Sequence, residues 1–399
     1  MKRLGIYVQV PFCQTKCTYC NFHTGVVAKE RFTPYVEAVC KEIRQHTRLL
    51  RAAGVDWKSG EWRVAGGVNK KTDYLVDTLY FGGGTPSLLD VGHLNEIVQA
   101  IRQAFAYEFE EVTLEADPET VEEEKAAAWV RAGIDRVSFG VQSFSDKELA
   151  AAGRMHRRAD VYRAVPILRD AGIRSISFDL IAGLPHQTNA SWKQSLAELI
   201  ALVPEHVSVY LLEVDEGSRL GKELLAGGAR YSAPAVPTED EMAELYETAQ
   251  KELRAAGYLH YEISNWAKPG FESKHNLKYW RREPYLGFGA GAHSFSGMQR
   301  WANAHDAATY VSAIEYERSP LEQLESLTAE QALEEELFLG LRQLNGIDVG
   351  KIEKEYGVAL RGRFEHLAAA GLVEREGGVV RLAEKRLSVS NEVFVELMK

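Results

Sequence analysis

Three cysteines, Cys13, Cys17 and Cys20, stand at the spacing C-x-x-x-C-x-x-C just after the apolar run 6–10. Three thiolates on one short loop can each hold one iron of a cubane 4Fe-4S cluster, which leaves the fourth iron without a protein ligand. A structural cluster normally has four ligands, so an open iron is a place for chemistry. S-adenosylmethionine can occupy it through its amino and carboxylate groups. The other reading is a zinc loop, which wants a fourth Cys or His near tetrahedral geometry, and His23 stands close enough to be considered.

Further residues able to do chemistry recur at the ends of apolar runs. Gly82, Gly83 and Gly84, with Thr85 behind them, close the run 78–81. Residues without side chains let backbone amides approach a ligand and take positive φ, although a bare glycine run is more often only a turn. Glu115 ends a third apolar run, Gln142 a fourth, and Asp179 lies in a fifth, so all three can point into one mouth. Arg154 follows a helical stretch and can pair with a carboxylate. His275 and Tyr279 are four apart and share a face if their segment is helical. Two readings fit that pair: an imidazole for heme iron with flat surface from Tyr279 and Trp280, or a buried histidine in a satisfied hydrogen-bond network. The run Gly287-Phe-Gly-Ala-Gly-Ala-His293 has G-x-G-x-G spacing and no strand-then-helix context, which argues against a dinucleotide loop and for a close-packed loop facing the barrel mouth.

The elements that must position these residues alternate. Runs at 6–10, 78–81, 112–115, 136–141, 175–181 and 207–214 read as strands, and amphipathic segments near 31–50, 88–105, 119–132, 158–171 and 188–202 read as helices. Parallel βαβ units with candidate ligands at the strand ends suit an incomplete (β/α)6 barrel, while periodicity alone leaves a doubly wound sheet open. The polar, Gly-rich stretch 54–73 reads as a surface insertion in the first crossover. A long helix is expected over 239–256, ahead of the His275 segment. From about 326 the chain turns Leu/Glu-rich and helical, and it ends in two short strands around Gly377-Gly378, a winged-helix-like pattern. The expected division is 1–230 for the barrel core, 231–325 for an accessory segment and 326–399 for the C-terminal winged-helix-like domain.

With 47 basic and 57 acidic residues among 399, the formal charge of −10 argues against non-specific attraction to nucleic acid or anionic lipid. The fourth cysteine, Cys40, stands alone in a helical stretch, so no disulfide framework is visible. Thiolate ligation needs a reducing compartment. Without a signal-peptide pattern or a membrane-spanning apolar run, a cytoplasmic protein with at most peripheral membrane contact is expected.

The segment Tyr7-Val-Gln-Val-Pro-Phe-Cys-Gln-Thr-Lys-Cys-Thr-Tyr-Cys-Asn-Phe22 resembles the start of the radical S-adenosylmethionine proteins related to oxygen-independent coproporphyrinogen III oxidase. Gly82-Gly-Gly-Thr-Pro86, Glu115-Ala-Asp-Pro118, Gly140-Val-Gln-Ser-Phe144, Gly153-Arg154, Asp179-Leu-Ile-Ala-Gly-Leu-Pro185 and His275-Asn-Leu-Lys-Tyr-Trp280 follow in that family's order. The last motif is similar to the heme chaperone branch and is not a feature of the oxidase proper. The resemblance implies a radical S-adenosylmethionine barrel with Cys13, Cys17 and Cys20 on the cluster. It implies Tyr7, Gly83, Gly84, Thr85, Glu115, Gln142, Arg154 and Asp179 around S-adenosylmethionine, and it puts heme binding at His275 ahead of the buried-histidine reading.

Two departures from the oxidase stand out. Its cluster motif continues C-x-x-x-C-x-x-C-x-C, whereas position 22 is Phe, and it carries an extension ahead of the cluster where this chain has twelve residues before Cys13. The reading is a heme chaperone that holds a 4Fe-4S cluster, S-adenosylmethionine and heme, draws on an electron donor and passes heme to acceptor proteins. Any chemistry of the cofactor would be one-electron cleavage of its sulfonium bond. The competing readings are a coproporphyrinogen III oxidase and another radical enzyme acting on a tetrapyrrole.

Overall fold

The computed structural model describes residues 1–22, 24–55, 57 and 74–397. His23 and nearly all of the insertion expected over 54–73 lie outside the described residues.

Strand β1 (Lys2–Val10) is followed by helix α1 (Phe32–Ala52), and the alternation continues through β2 (Tyr74–Gly83), α2 (Val91–Ala104), β3 (Tyr107–Ala116), α3 (Glu123–Ala132) and β4 (Arg136–Gln142). After α4 (Asp146–Ala151) and α5 (Arg158–Ala171) come β5 (Ser175–Ala182), α6 (Asn189–Leu202) and β6 (His206–Leu211). These strands pair in sequence order, each parallel to the next. This is the incomplete (β/α)6 barrel expected from the alternation.

The side-chain period of two explains how β1 serves both core and site. Leu4, Ile6, Val8 and Val10 are fully buried beneath the helical layer, whereas Tyr7 and Gln9 point to the other face, toward the barrel mouth. Helix α1 answers with a stripe of buried Val36, Val39 and Ile43. Helices α3 and α5 end on Gly133 and Gly172, both at positive φ, which turns the chain back into the next strand.

The sheet does not close on itself. Beyond β6 it continues into the hairpin β7 (Leu259–Glu262) and β8 (Asn265–Ala267), reached through α7 (Arg219–Leu225) and α8 (Glu239–Ala255), with β8 antiparallel to β6. Helix α9 (Lys274–Trp280) follows and leads to β9 (Tyr285–Phe288), which pairs parallel with the free edge of β1. Strands β10 (His293–Phe295) and β11 (Gln299–Asn303), then α10 (Ala307–Glu315) and β12 (Leu321–Ser326), extend that edge in antiparallel fashion. Periodicity does not announce β9 to β12, because β9 to β11 are only three to five residues long, β12 is mostly polar, and all are defined by the partner edge they meet.

The C-terminal part runs α11 (Ala329–Arg342), β13 (Ile347–Asp348), α12 (Val349–Tyr356), α13 (Arg361–Ala369), β14 (Val373–Glu376), β15 (Val379–Leu382) and α14 (Ser390–Leu397). Its three strands form a separate sheet in the order β13-β15-β14, with the Gly377-Gly378 turn between β14 and β15. The expected helices and wing are both present. Their buried Phe364, Leu367 and Val380 join the same apolar cluster as the barrel core. Among the described residues no helix is long and apolar enough to cross a membrane.

Differences from the expected bounds lie at the ends of elements, by a few residues in the helices as well as the strands. Strand β2 begins at Tyr74 rather than 78 and β3 at Tyr107 rather than 112, while β6 stops at Leu211 rather than 214. The added N-terminal residues are paired by neighbouring strands, a tertiary contribution that local apolarity does not carry.

Candidate functional site

The cysteine loop leaves the C-terminal end of β1 and is fixed by backbone bonds at several points. Cys13 N donates to Gly25 O at 3.0 Å, Thr18 N to Ala152 O at 2.9 Å, and Leu220 N to Thr18 O at 2.8 Å. Gly84 N reaches Val10 O and Thr85 N reaches Phe12 O, at 2.8 and 2.7 Å, so the glycine loop after β2 is stitched to the start of the cysteine loop. The three thiols are free and half-buried, and Cys40 is buried on α1 away from them. Burial pushes the Cys13 and Cys20 thiols up, and neighbouring cysteines add to the rise. Among the described residues no three Cys, His or carboxylate groups converge on a single ion. A cubane asks for something different, one thiolate on each of three separate irons.

The Gly82-Gly-Gly stretch is a cradle in the literal sense. A Cβ on Gly84 would lie 2.9 Å from Cys13 Sγ and would strike Phe12 O, and Gly83 adopts φ +115° with Gln9 against it. Gly153, at φ +75°, packs on Thr18 and Cys17 from the opposite side. Next to it Arg154 donates to Cys17 Sγ at 3.5 Å and to Gly140 O at 2.8 Å, and it forms an ion pair with Asp117. Asp117 also accepts from Thr85 Oγ1 at 3.0 Å, which ties the end of β3 to the glycine loop.

Glu115 accepts from Tyr80 OH at 2.8 Å and from Gly83 N at 3.0 Å. Burial, with Asp179 and Asp117 nearby, pushes its carboxyl up to about 7 despite those donors. Asp179 accepts from Ser138 Oγ at 3.2 Å and is likewise raised by burial. Gln142 stands at φ +62°, an unusual place for a side-chain-bearing residue, and its Oε1 is buried without a hydrogen-bond partner. Together with the cradle at Gly84, that orphaned oxygen fits a site built for a polar ligand.

A cavity of about 510 Å³ opens beside these groups. Tyr7, Gln9, Gly83 and Glu115 form its inner wall, and Phe22, Tyr279, Tyr285, Gly291, His293 and His305 form the rest. Gln9 accepts a 2.7 Å bond from Tyr7 OH, which fixes both side chains of β1.

His275 lies beneath this cavity, 1% exposed. Its Nδ1 is 2.9 Å from Thr78 Oγ1 and its Nε2 is 2.8 Å from Tyr279 OH, and burial holds its pKa down to about 3. Tyr80 stacks on the ring at 5.1 Å. As placed, the histidine presents no open nitrogen to an iron in the cavity and holds Tyr279, which does face it. Trp280 is turned away, with the Arg342 guanidinium over its ring at 4.4 Å, so it offers no surface to the cavity.

Of the residues expected around S-adenosylmethionine, Tyr7, Gly83 and Glu115 share the cavity wall. Gly84, Thr85 and Arg154 bear on the cysteine loop instead, and Gln142 and Asp179 stand on the neighbouring strands β4 and β5. Sequence reasoning did not single out Gln9, Tyr80 or Asp117. The motif around Glu115 contains Asp117, and alternation along β1 pairs Gln9 with Tyr7, so both carried a signal. His293 closes the glycine-rich run and was legible; His305 has no local mark.

The fold and site define a radical S-adenosylmethionine protein. The radical SAM superfamily matches residues 7–199, and the HemN C-terminal domain matches 327–385. The solved structure of coproporphyrinogen III oxidase (HemN) from Escherichia coli superposes with a TM-score of 0.81 over 100% of this chain and 90% of that one, at 20% identity, a likeness of fold. Heme chaperone HemW of Bacillus subtilis (strain 168) is 33% identical over 97% of both chains. That of Escherichia coli (strain K12) is 34% identical over 73% of this chain and 69% of its own. The chain belongs to the HemW family of heme chaperones.

Proposed function

We propose that the protein binds heme in the cavity beside the cysteine loop and passes it to acceptor proteins. Cys13, Cys17 and Cys20 would hold a 4Fe-4S cluster, with S-adenosylmethionine against Gly83, Gly84 and Thr85 and within reach of Tyr7, Glu115, Gln142, Arg154 and Asp179. The observation that carries this reading is identity across nearly the full length with proteins named heme chaperone HemW. The aromatic cavity wall of Tyr7, Tyr279, Tyr285 and Phe22 supports it, since flat apolar rings suit a macrocycle. His275 serves the heme site from below by orienting Tyr279.

When bound, the cluster and S-adenosylmethionine supply one-electron reductive cleavage of the sulfonium bond, which calls for an external electron donor. The chain's own part is positional. Arg154 sets a positive charge against Cys17, Asp117 holds Arg154, and the Gly83–Glu115 bond fixes the cradle.

The test is an anaerobic titration of reconstituted protein with heme, followed by incubation with an apo-acceptor. Stoichiometric binding, seen as a shifted heme absorption band, and release to the acceptor are expected. Absence of binding by intact, cluster-loaded protein would end this reading. The fold likeness to the oxidase supports a second reading, decarboxylation of coproporphyrinogen III, and a product assay separates the two.

A further inference from the structure

Arg154 is held on more sides than its ion pair with Asp117 accounts for. A guanidinium carries five N–H donors and no acceptor. Nη2 donates to Asp117 and to Gly140 O, Nη1 donates to Cys17 Sγ at 3.5 Å, and Nε donates to His156 Nδ1 at 3.3 Å. His156 is 1% exposed, and its other nitrogen, Nε2, lies 3.0 Å from Val141 O. These two partners fix the tautomer of the ring. Arg154 can only donate, so Nδ1 is bare; a carbonyl can only accept, so Nε2 carries the proton. Burial, with the Arg154 charge beside it, holds the pKa of the imidazole down to about 4, which keeps the ring neutral at physiological pH. The Glu119 carboxylate, 3.9 Å from Nδ1, is beyond hydrogen-bond distance.

The end of β4 accounts for the other half of the arrangement. Strand β4 pairs with β5 at Phe139 and next at Gln142, with a register shift between them, so Gly140 and Val141 drop out of that ladder. Gly140 O is taken by Arg154 and Val141 O by His156, just before Gln142 turns to φ +62°. His156 thus links a backbone carbonyl at the strand end to the guanidinium that reaches the cysteine loop.

We propose that His156 is a positioning residue: it aims the Arg154 guanidinium at Cys17 and so sets the reduction potential of the cluster and the hold on S-adenosylmethionine. The inference rests on the cluster and S-adenosylmethionine part of the reading above. An N–H and a positive charge directed at a cluster sulfur favour the reduced, more negative cluster and raise its potential. Without the Nε bond the guanidinium pivots about its Nη2 contacts with Asp117 and Gly140, which carries Nη1 off the sulfur.

The experiment compares the parent, His156→Gln and His156→Asn after anaerobic reconstitution. It is read by redox titration of the cluster followed by electron paramagnetic resonance and by equilibrium binding of S-adenosylmethionine, with iron per chain and circular dichroism as controls. The glutamine amide reaches the place of Nε2 and can donate to Val141 O, but it leaves Arg154 Nε without its acceptor. The asparagine Oδ1 takes the place of Nδ1 and keeps that acceptor while losing the bond to the carbonyl. Loss of an outer-shell partner costs roughly 10–100-fold in affinity. His156→Gln should therefore lower the cluster potential and weaken S-adenosylmethionine binding at least about tenfold, whereas His156→Asn stays near the parent in both. Added to Arg154→Lys, His156→Gln should change nothing further, since the two act through one guanidinium. His156→Gln with the parent's potential and affinity overturns the inference. Equal loss in both variants, or full additivity with Arg154→Lys, overturns it too and makes His156 a packing residue of β4. So does a His156→Gln protein that folds but takes up no iron, because positioning acts on a cluster already held. A parent that binds no cluster or no S-adenosylmethionine removes the underlying reading instead, which its own titration shows.

Discussion

Gly84 and Cys13 are in such close contact that a single methyl group on the glycine would come within 2.9 Å of the cysteine sulfur. The Phe12 carbonyl closes the other side, so neither residue can yield without moving the backbone of the cysteine loop. Gly84→Ala is expected to lower the iron bound per chain after anaerobic reconstitution to well below that of the parent, while circular dichroism stays native. Iron content equal to the parent's would show that the loop has slack.

Cluster assembly should depend on Cys13, Cys17 and Cys20 and be indifferent to Cys40, which is buried on α1 and faces the core. Alanine at any of the three should abolish the characteristic visible absorption, and Cys40→Ala should retain it. Equal loss on replacing Cys40 would overturn the ligand assignment.

Replacing His275 by Ala strips Thr78 Oγ1 and Tyr279 OH of a shared buried partner. Unsatisfied buried groups cost about 1–3 kcal/mol, and the deleted ring adds a cavity. The variant should unfold at lower denaturant and bind or deliver heme less well because Tyr279 is no longer held, with the cluster spectrum unchanged. Heme delivery at the parent's level would reduce His275 to packing.

Glu42, buried between α1 and the Gly289 turn, has its carboxyl pushed up by burial from 4.5 to about 7. The unfolded chain releases that proton near 4.5 and the folded chain near 7, so the folded state holds the extra proton in between. Its contribution to stability therefore falls as pH rises from 4.5 through 7, by at most roughly 3 kcal/mol. Glu42→Gln should remove that slope. Denaturant melts of both proteins at pH 5 and pH 7.5 check it, and an unchanged difference between them would mean that Glu42 titrates normally.

Supplied anaerobically with S-adenosylmethionine, reductant and coproporphyrinogen III, the protein should form no protoporphyrinogen. Phe22, two-thirds exposed and on the cavity wall, stands where the oxidase motif has a further cysteine. Multiple turnovers of decarboxylated product would promote the oxidase reading.

The barrel was readable because each strand carries its own apolar run and each helix its own stripe, and the cysteine spacing is local by nature. What escaped was assembled from distant parts. His305 reaches the cavity only because β11 pairs with β10 and β10 with β9, and β9 lies on β1, a chain of contacts with no trace in the residues around 305. The placement of His275 is similar. The spacing of His275 and Tyr279 on one helical face was visible, but Thr78, which takes the other ring nitrogen, is 197 positions away.

The pairing of β1 has a consequence for biosynthesis. This strand leads into the cysteine loop, yet one of its edges is completed by β2 and the other by β9, which the ribosome makes about 200 residues later. At translation rates of about 5–20 residues per second that interval lasts roughly 10–40 seconds. During it the Cys13 and Gly84 segments have been made but the wall formed by Tyr285, His293 and His305 has not, so that side of the cavity stands open until β9 pairs with β1.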